Sequence, residues 1–239
     1  MRIALVADLH GNLPALEAVD ADIRRRGADE IWCLGDLAGK GPSSAETFDW
    51  AMQNCSVILC GNWDEGIGKR YFATNDQFYY AQLGEERMRQ LLELPYEHHA
   101  VLSGRRLRLL HGRPIMTRLL STFDPERELE WLFAPDFNVV GYGDIHHAGL
   151  RALHGNRILF SVGSVGNSIR IPLAQYTMLE CEKGAQPAPF DLQYIYLPYD
   201  VARAVRDAEA AENMPHRAAY IQEITTGVYG RAPKAGSST

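Results

Sequence analysis

The chain has 239 residues, 46% of them apolar, with a formal net charge of −6 and four cysteines. That suits one sizeable domain with a full core, and it excludes a basic nucleic-acid-binding module. No apolar run approaches the roughly 18–20 residues needed to cross a bilayer, the N-terminus leaves no room for a signal peptide, and Cys33, Cys55, Cys60 and Cys181 lack CxxC spacing, so a cytoplasmic protein with reduced core cysteines is expected.

The first strand is predicted over Arg2 to Ala7, ending in Asp8-Leu9-His10-Gly11-Asn12. Alternation along the strand exit lets Asp8 and His10 point to one side. Alone, this is equally a capped helix start with an incidental histidine. Leu16, Val19 and Ile23 then form a helical stripe over Leu13 to Arg26, with Asn12 as its cap and Gly27 as its stop. Arg24, Arg25 and Arg26 suit the negative end of that helix dipole better than a nucleic-acid patch.

Glu30 to Leu34 is a second buried strand, ending in Gly35-Asp36. Ser43 and Glu46 read as a capping box for a helix through about Asn54. Ser56 to Cys60 is a third strand, ending in Gly61-Asn62-Trp63-Asp64. From Glu65 to Gln82 an irregular aromatic stretch, with Tyr71, Phe72, Phe78, Tyr79 and Tyr80, is expected as a substrate wall or a loop packed on the core. Gly84 to Leu94 is predicted helical.

His99–Leu102 and Arg106–Leu110 read as a hairpin leading to His111-Gly112, and a helix opens at Asp124-Pro125. A short strand over Phe137 to Val140 leads to Gly143-Asp144-Ile145-His146-His147. Four further strands are expected over 149–153, 157–162, 175–182 and 191–197, then a helix over Asp200 to Glu212 and a weaker one over Ile221 to Gly227. The domain is predicted to span 1–229, with a helical extension from about 199 and a disordered tail over 230–239.

Strands alternating with helices predict a parallel sheet whose site lies at the strand C-termini. Five strand ends carry oxygen and nitrogen ligands without cysteine: Asp8 and His10, Asp36, Asn62, His111, and Asp144 with His146. Six or seven such ligands suit two divalent ions sharing a carboxylate.

The order D-x-H, G-D, G-N-x-D, H-G and G-D-x-H, together with Gly35–Pro42 and Gly163-Ser164-Val165-Gly166, resembles the calcineurin-like metallophosphoesterase superfamily. Within it the chain is most similar to the small bacterial YfcE-like and diadenosine tetraphosphatase-related branch. The resemblance implies an α/β four-layer sandwich, with two mixed sheets face to face and helices outside. It implies that Asp8, His10 and His146 hold one ion, that Asp36 bridges, and that Asn62, His111 and Asp144 hold the second. A hydroxide bridging the ions would attack the phosphoester in line, with Asp36, Asn62 and His111 at the reaction centre. Mn is the expected metal, with Fe, Zn, Mg and Ni as alternatives.

Two positions depart from the pattern. Asp144 stands where the first His of G-H-x-H is usual, which favours hard ions. Trp63 stands where many members place the His that protonates the leaving group, so His147 becomes a candidate acid. Asp64 is expected to orient Asn62 or the histidines. The expected substrate is a small phosphodiester, phosphomonoester or nucleotide. A dinucleoside polyphosphate hydrolase and a metal-binding scaffold with weakened turnover are the alternatives. No membrane or nucleic-acid partner is expected, and the oligomeric state is left open.

Overall fold

The computed structural model describes residues 1–71 and 76–231. Its backbone is two five-stranded mixed sheets. The first is built from β1 (Arg2–Val6), β2 (Glu30–Cys33), β3 (Val57–Ile58), β9 (Ala174–Glu180) and β10 (Asp191–Leu197), in the order β10-β9-β1-β2-β3. The second holds β4 (Glu97–Leu102), β5 (Arg105–Leu110), β6 (Val139–Tyr142), β7 (Ala148–Leu153) and β8 (Arg157–Val162), in the order β4-β5-β6-β8-β7. In each sheet three parallel strands are flanked by antiparallel partners.

Period-two alternation builds the layers. Ile3, Leu5 and Ala7 face the second sheet, packing with Leu107, Leu109, Val139, Phe160 and Val162. Ala4 and Val6 face outward, under Leu16, Val19 and Ile23 of α1 (Leu13–Arg26) and Phe48 of α2 (Ser44–Asn54). On the far side, Val140, Tyr142 and Leu159 are covered by Leu129 of α5 (Glu126–Leu129) and by Leu132 and Phe133 of the 3₁₀ turn that follows. This is the expected four-layer arrangement. Each fully buried large side chain contributes about 1.5–3 kcal/mol.

Local signals held at α1: Asn12 Oδ1 accepts from Ala15 N at 3.2 Å, and Gly27 closes the helix at φ 69°. They failed at α2, where Ser43 makes no side-chain cap bond. Ser44 is recruited instead, its Oγ accepting from Gly39 N.

The stretch expected to be irregular is largely helical. It forms α3 (Asn62–Gly68) and α4 (Gln77–Glu93), the latter broken at Gly84 (φ 66°, ψ 170°). The reading from sequence began its helix at that break. Tyr79 and Tyr80 are buried in the core rather than lining a wall, while Tyr71 is exposed; Phe72 lies outside the described residues. Helices α6 (Val201–Ala210) and α7 (Arg217–Thr226) pack together, with α6 against α1. Of the tail expected to be disordered, Gly230 and Arg231 are placed against α7: Gly230 N donates to Glu223 Oε1 at 3.1 Å. Residues 232–239 lie outside the described residues.

Candidate metal centre

The strand ends of both sheets meet at one point, and the backbone there is bent for it. Asp8 (φ 55°), His10 (47°), Asp36 (56°), Asp144 (66°) and His146 (57°) all occupy the left-handed region, which costs a non-glycine residue about 1 kcal/mol or more. Ladder-like bonds hold the bends: Asp8 N to Gly35 O at 2.9 Å, His10 N to Asp36 O at 3.1 Å and Gly143 N to His111 O at 2.8 Å. Asp8 is braced from behind by the Gly163–Gly166 turn, since its carbonyl accepts from Gly166 N at 2.9 Å and Ser164 Oγ at 3.1 Å. The glycines of the motifs make room. A Cβ on Gly61 would lie 2.1 Å from Asp36 Oδ1, and one on Gly166 would lie 1.9 Å from Leu9 O.

Asp8, His10, Asp36 and His146 are buried and offer ligand atoms within 4.8 Å of one another. His146 Nε2 is 3.2 Å from Asp8 Oδ1, and His10 Nε2 is 3.6 Å from that same oxygen. Asp36 Oδ2 lies between two imidazoles, 3.4 Å from His10 Nε2 and 3.3 Å from His111 Nε2. Three tautomers are fixed by backbone carbonyls, which can only accept. His10 Nδ1 faces Ala38 O at 3.3 Å, His111 Nδ1 faces Leu34 O at 2.7 Å, and His146 Nδ1 faces Asn167 O at 2.6 Å. Each Nε2 lone pair is therefore aimed into the centre, as metal ligation requires. Asp8 Oδ1, Asn62 Oδ1 and His111 Nε2 are buried with no hydrogen-bond partner. A cation is what this donor set lacks, so the residues fit the divalent ions that the sequence implied.

Without ions, the surrounding charges set the imidazoles apart. Burial alone would lower His111, but the carboxylates of Asp36 and Asp8 outweigh it and raise His111 to about 10. His10 is held well below its usual value by burial, Lys40 and His146. Asp64 does not touch Asn62 or the histidines. Its carboxylate accepts from the backbone N–H of Asp36 (2.7 Å), Leu37 (2.9 Å) and Gly61 (2.9 Å), locking two strand exits together. Burial and Asp36 push it up to about 7.

Two of the expected residues are placed apart from that cluster. The Asp144 carboxylate is not gathered with the other ligands. It is held by Arg113, which donates from its backbone N (3.0 Å), Nε (2.9 Å) and Nη2 (2.5 Å). Those bonds keep Asp144 below its usual value despite burial. Only its backbone N reaches the centre, donating to Asp8 Oδ2 at 3.2 Å. His147 does not line the cleft above the centre, and its Nδ1 is tied to Ile145 O at 2.9 Å. Burial lowers its pKa, so it is a poor proton donor at neutral pH.

That cleft encloses about 490 Å³ and is lined by Asp36, Asn62, Trp63 and His146, but also by Lys40, Arg113, Tyr229 and Arg231, which sequence reasoning missed. The Gly39-Lys40-Gly41 loop could have been noticed; nothing in the sequence ties Arg231 to this place.

A two-sheet α/β sandwich with buried carboxylates and imidazoles at its strand ends defines a metallophosphoesterase. The chain belongs to the calcineurin-like phosphoesterase superfamily, whose domain model matches residues 1–184. It is 30% identical over 157 residues to an uncharacterized protein of Methanocaldococcus jannaschii, covering 62% of this chain and 60% of that protein. Over 67 residues it is 34% identical to a symmetrical bis(5'-nucleosyl)-tetraphosphatase of Psychromonas ingrahamii, covering 27% of this chain and 24% of that enzyme. The chain thus spans less than two thirds of either curated relative. The crystal structure of a metallophosphoesterase from Sphaerobacter thermophilus superposes with a TM-score of 0.76 at 23% identity, over 95% of this chain and 99% of the other. Among the described residues no helix is long and apolar enough to cross a membrane.

Proposed function

We propose that this protein is a metal-dependent phosphoesterase that hydrolyses a phosphodiester or phosphomonoester, including that of a nucleotide, at a centre for two divalent ions. One observation carries the reading: Asp36 Oδ2 lies within 3.4 Å of imidazole nitrogens on both sides, His10 and His111, as a carboxylate shared between two ions would. Asp8, His10 and His146 would hold one ion, and Asn62 and His111 the other. Bound ions of this type supply Lewis acidity and an activated water at neutral pH; the mixed carboxylate, amide and imidazole donors, with no thiolate, are compatible with Mn. Around them the chain supplies orientation. Asp64 and the Gly163–Gly166 turn fix the two carboxylates, and the three carbonyls fix the imidazoles. Trp63 offers no acid, so good leaving groups are expected to react fastest.

The test is hydrolysis of bis(p-nitrophenyl) phosphate with added Mn, compared with Asp36→Asn. The variant should lose about a thousandfold in rate, since the shared ligand positions both ions. A rate that is independent of metal, or equal in the variant, overturns the reading in favour of a scaffold. Hydrolysis of dinucleoside polyphosphates is the second reading, supported by the short match to the tetraphosphatase and by the cations lining the cleft.

A further inference from the structure

The cleft carries cations that the metal centre does not explain. Lys40 is 6% exposed, and its side-chain bonds run to an amide and an imidazole: Nζ donates to Asn167 Oδ1 at 2.9 Å and lies 3.4 Å from His146 Nε2. The Arg231 side chain is 12% exposed, and its Nε and Nη2 are buried without a hydrogen-bond partner among the described residues. Its guanidinium carbon lies 5.5 Å from the centre of the Trp63 ring. The nearest carboxylate, Glu223 Oε1, is 3.7 Å from Arg231 Nε and already accepts from Gly230 N. The other oxygen of Glu223 accepts from Asn167 Nδ2 at 3.0 Å. Asp8 and Asp36 attract Lys40 across the cleft, but they are the carboxylates that ions would neutralise. Arg113, by contrast, is matched by Asp144. Among the described residues, once ions neutralise Asp8 and Asp36, Lys40 and Arg231 are left to share the one carboxylate of Glu223, which already accepts two hydrogen bonds, and an anionic ligand in the cleft would complete their pairing.

We propose that Lys40 and Arg231 form a subsite for a second phosphate, adjacent to the one cleaved at the metal centre, so that the preferred substrates carry neighbouring phosphates. The inference rests on the phosphoesterase reading and names its substrate class. Arg231 lies beyond residue 184, where the family model ends, and Lys40 lies within it, so the subsite is formed where the C-terminal segment meets the family domain. The guanidinium fork suits a phosphate, held from the other side by a compact ammonium.

Binding of non-hydrolysable ligands separates this from turnover. Mn-loaded protein is titrated calorimetrically with methylenediphosphonate and with methylphosphonate. The first should bind at least about tenfold more tightly, as expected for added charge-assisted hydrogen bonds. Arg231→Gln should abolish that preference while leaving methylphosphonate within about twofold, and Lys40→Met should reduce it in the same direction. Melting temperatures confirm folding; Arg231→Lys, which keeps the charge, should retain part of the preference. Equal weakening of both ligands would assign Arg231 to the cleaved phosphate and overturn the proposal, as would an unchanged preference. Because neither ligand is hydrolysed, an inactive protein would refute the phosphoesterase reading while leaving this comparison intact.

Discussion

Glu223 offers a sharp test of how the C-terminal helices are joined to the metal centre. It is fully buried on α7, and each carboxylate oxygen accepts from a donor: Asn167 Nδ2 at 3.0 Å, its amide oriented by Lys40 donating to Oδ1, and Gly230 N at 3.1 Å. Glu223→Gln preserves shape but places an NH₂ against one of those donors in either orientation. At least one buried donor pair is left facing N–H to N–H, and Arg231 loses its nearest counter-charge. An unsatisfied buried donor costs about 1–3 kcal/mol. At about 2–4 °C per kcal/mol for a chain of this size, the melting temperature should fall by about 2–12 °C. Asn167 also presents the carbonyl that fixes His146 Nδ1, so Mn affinity should fall by about tenfold, as when a partner behind a metal ligand is removed. Scanning calorimetry of the metal-free protein and a chelator competition read the two effects separately. A melting temperature unchanged within about 1 °C would refute the reasoning. Glu17→Gln is the control: its ion pair with Arg203 is exposed on both sides and should contribute about 0–1 kcal/mol.

Two further outcomes follow from charge. His111 is raised to about 10 in the metal-free protein, so it adds stability below its unfolded value near 6.5, and that stability is lost as pH rises through 10. Ligation needs the neutral ring; Mn affinity should therefore rise about tenfold per pH unit from 6.5 to 8.5, with proton release seen as buffer-dependent binding heats. A flat profile would mean that His111 does not ligate. Asp22 accepts from Tyr176 Oη and Arg26 Nε, both at 2.7 Å, and these bonds hold its pKa low against burial. Its contribution is present above the unfolded value near 3.9 and is lost as pH falls through the folded value. Asp22→Asn should cost about 2 kcal/mol in urea unfolding at pH 7, with the gap narrowing toward pH 3.

Most of the frame was legible because strand and helix periods differ and because every ligand-bearing motif follows an apolar strand. Asp8, His10, Asp36, Asn62, His111 and His146 could be named from that placement. What the sequence hid was direction. Asp144 is a ligand type at a ligand position, yet Arg113 captures its carboxylate, and that pairing depends on how the segment after His111 turns back. Asp64 read as a partner for side chains and instead holds three backbone amides. The aromatic stretch has no clean period because Gly84 breaks α4 within it. Left-handed backbone at acidic and histidine residues leaves no mark in composition, although it is the strongest local sign that the strand exits were shaped for ligands.

The part of the chain beyond the family match is not an ornament on a finished centre. His146 Nδ1 is fixed by Asn167 O, Asn167 is held by Glu223, and Glu223 anchors Gly230 and faces Arg231. A candidate ion ligand and a cation of the cleft are thus secured by one buried carboxylate. Linkage makes the consequence reciprocal: if docking α7 improves metal binding, then metal binding must improve the docking of α7 by the same factor. A substrate phosphate that engages Arg231 would draw on that coupling, because it binds where the extension and the metal centre meet. On the proposed reading, the extension bears on which phosphoester is accepted, while the strand ends of the two sheets supply the residues that would hold the ions.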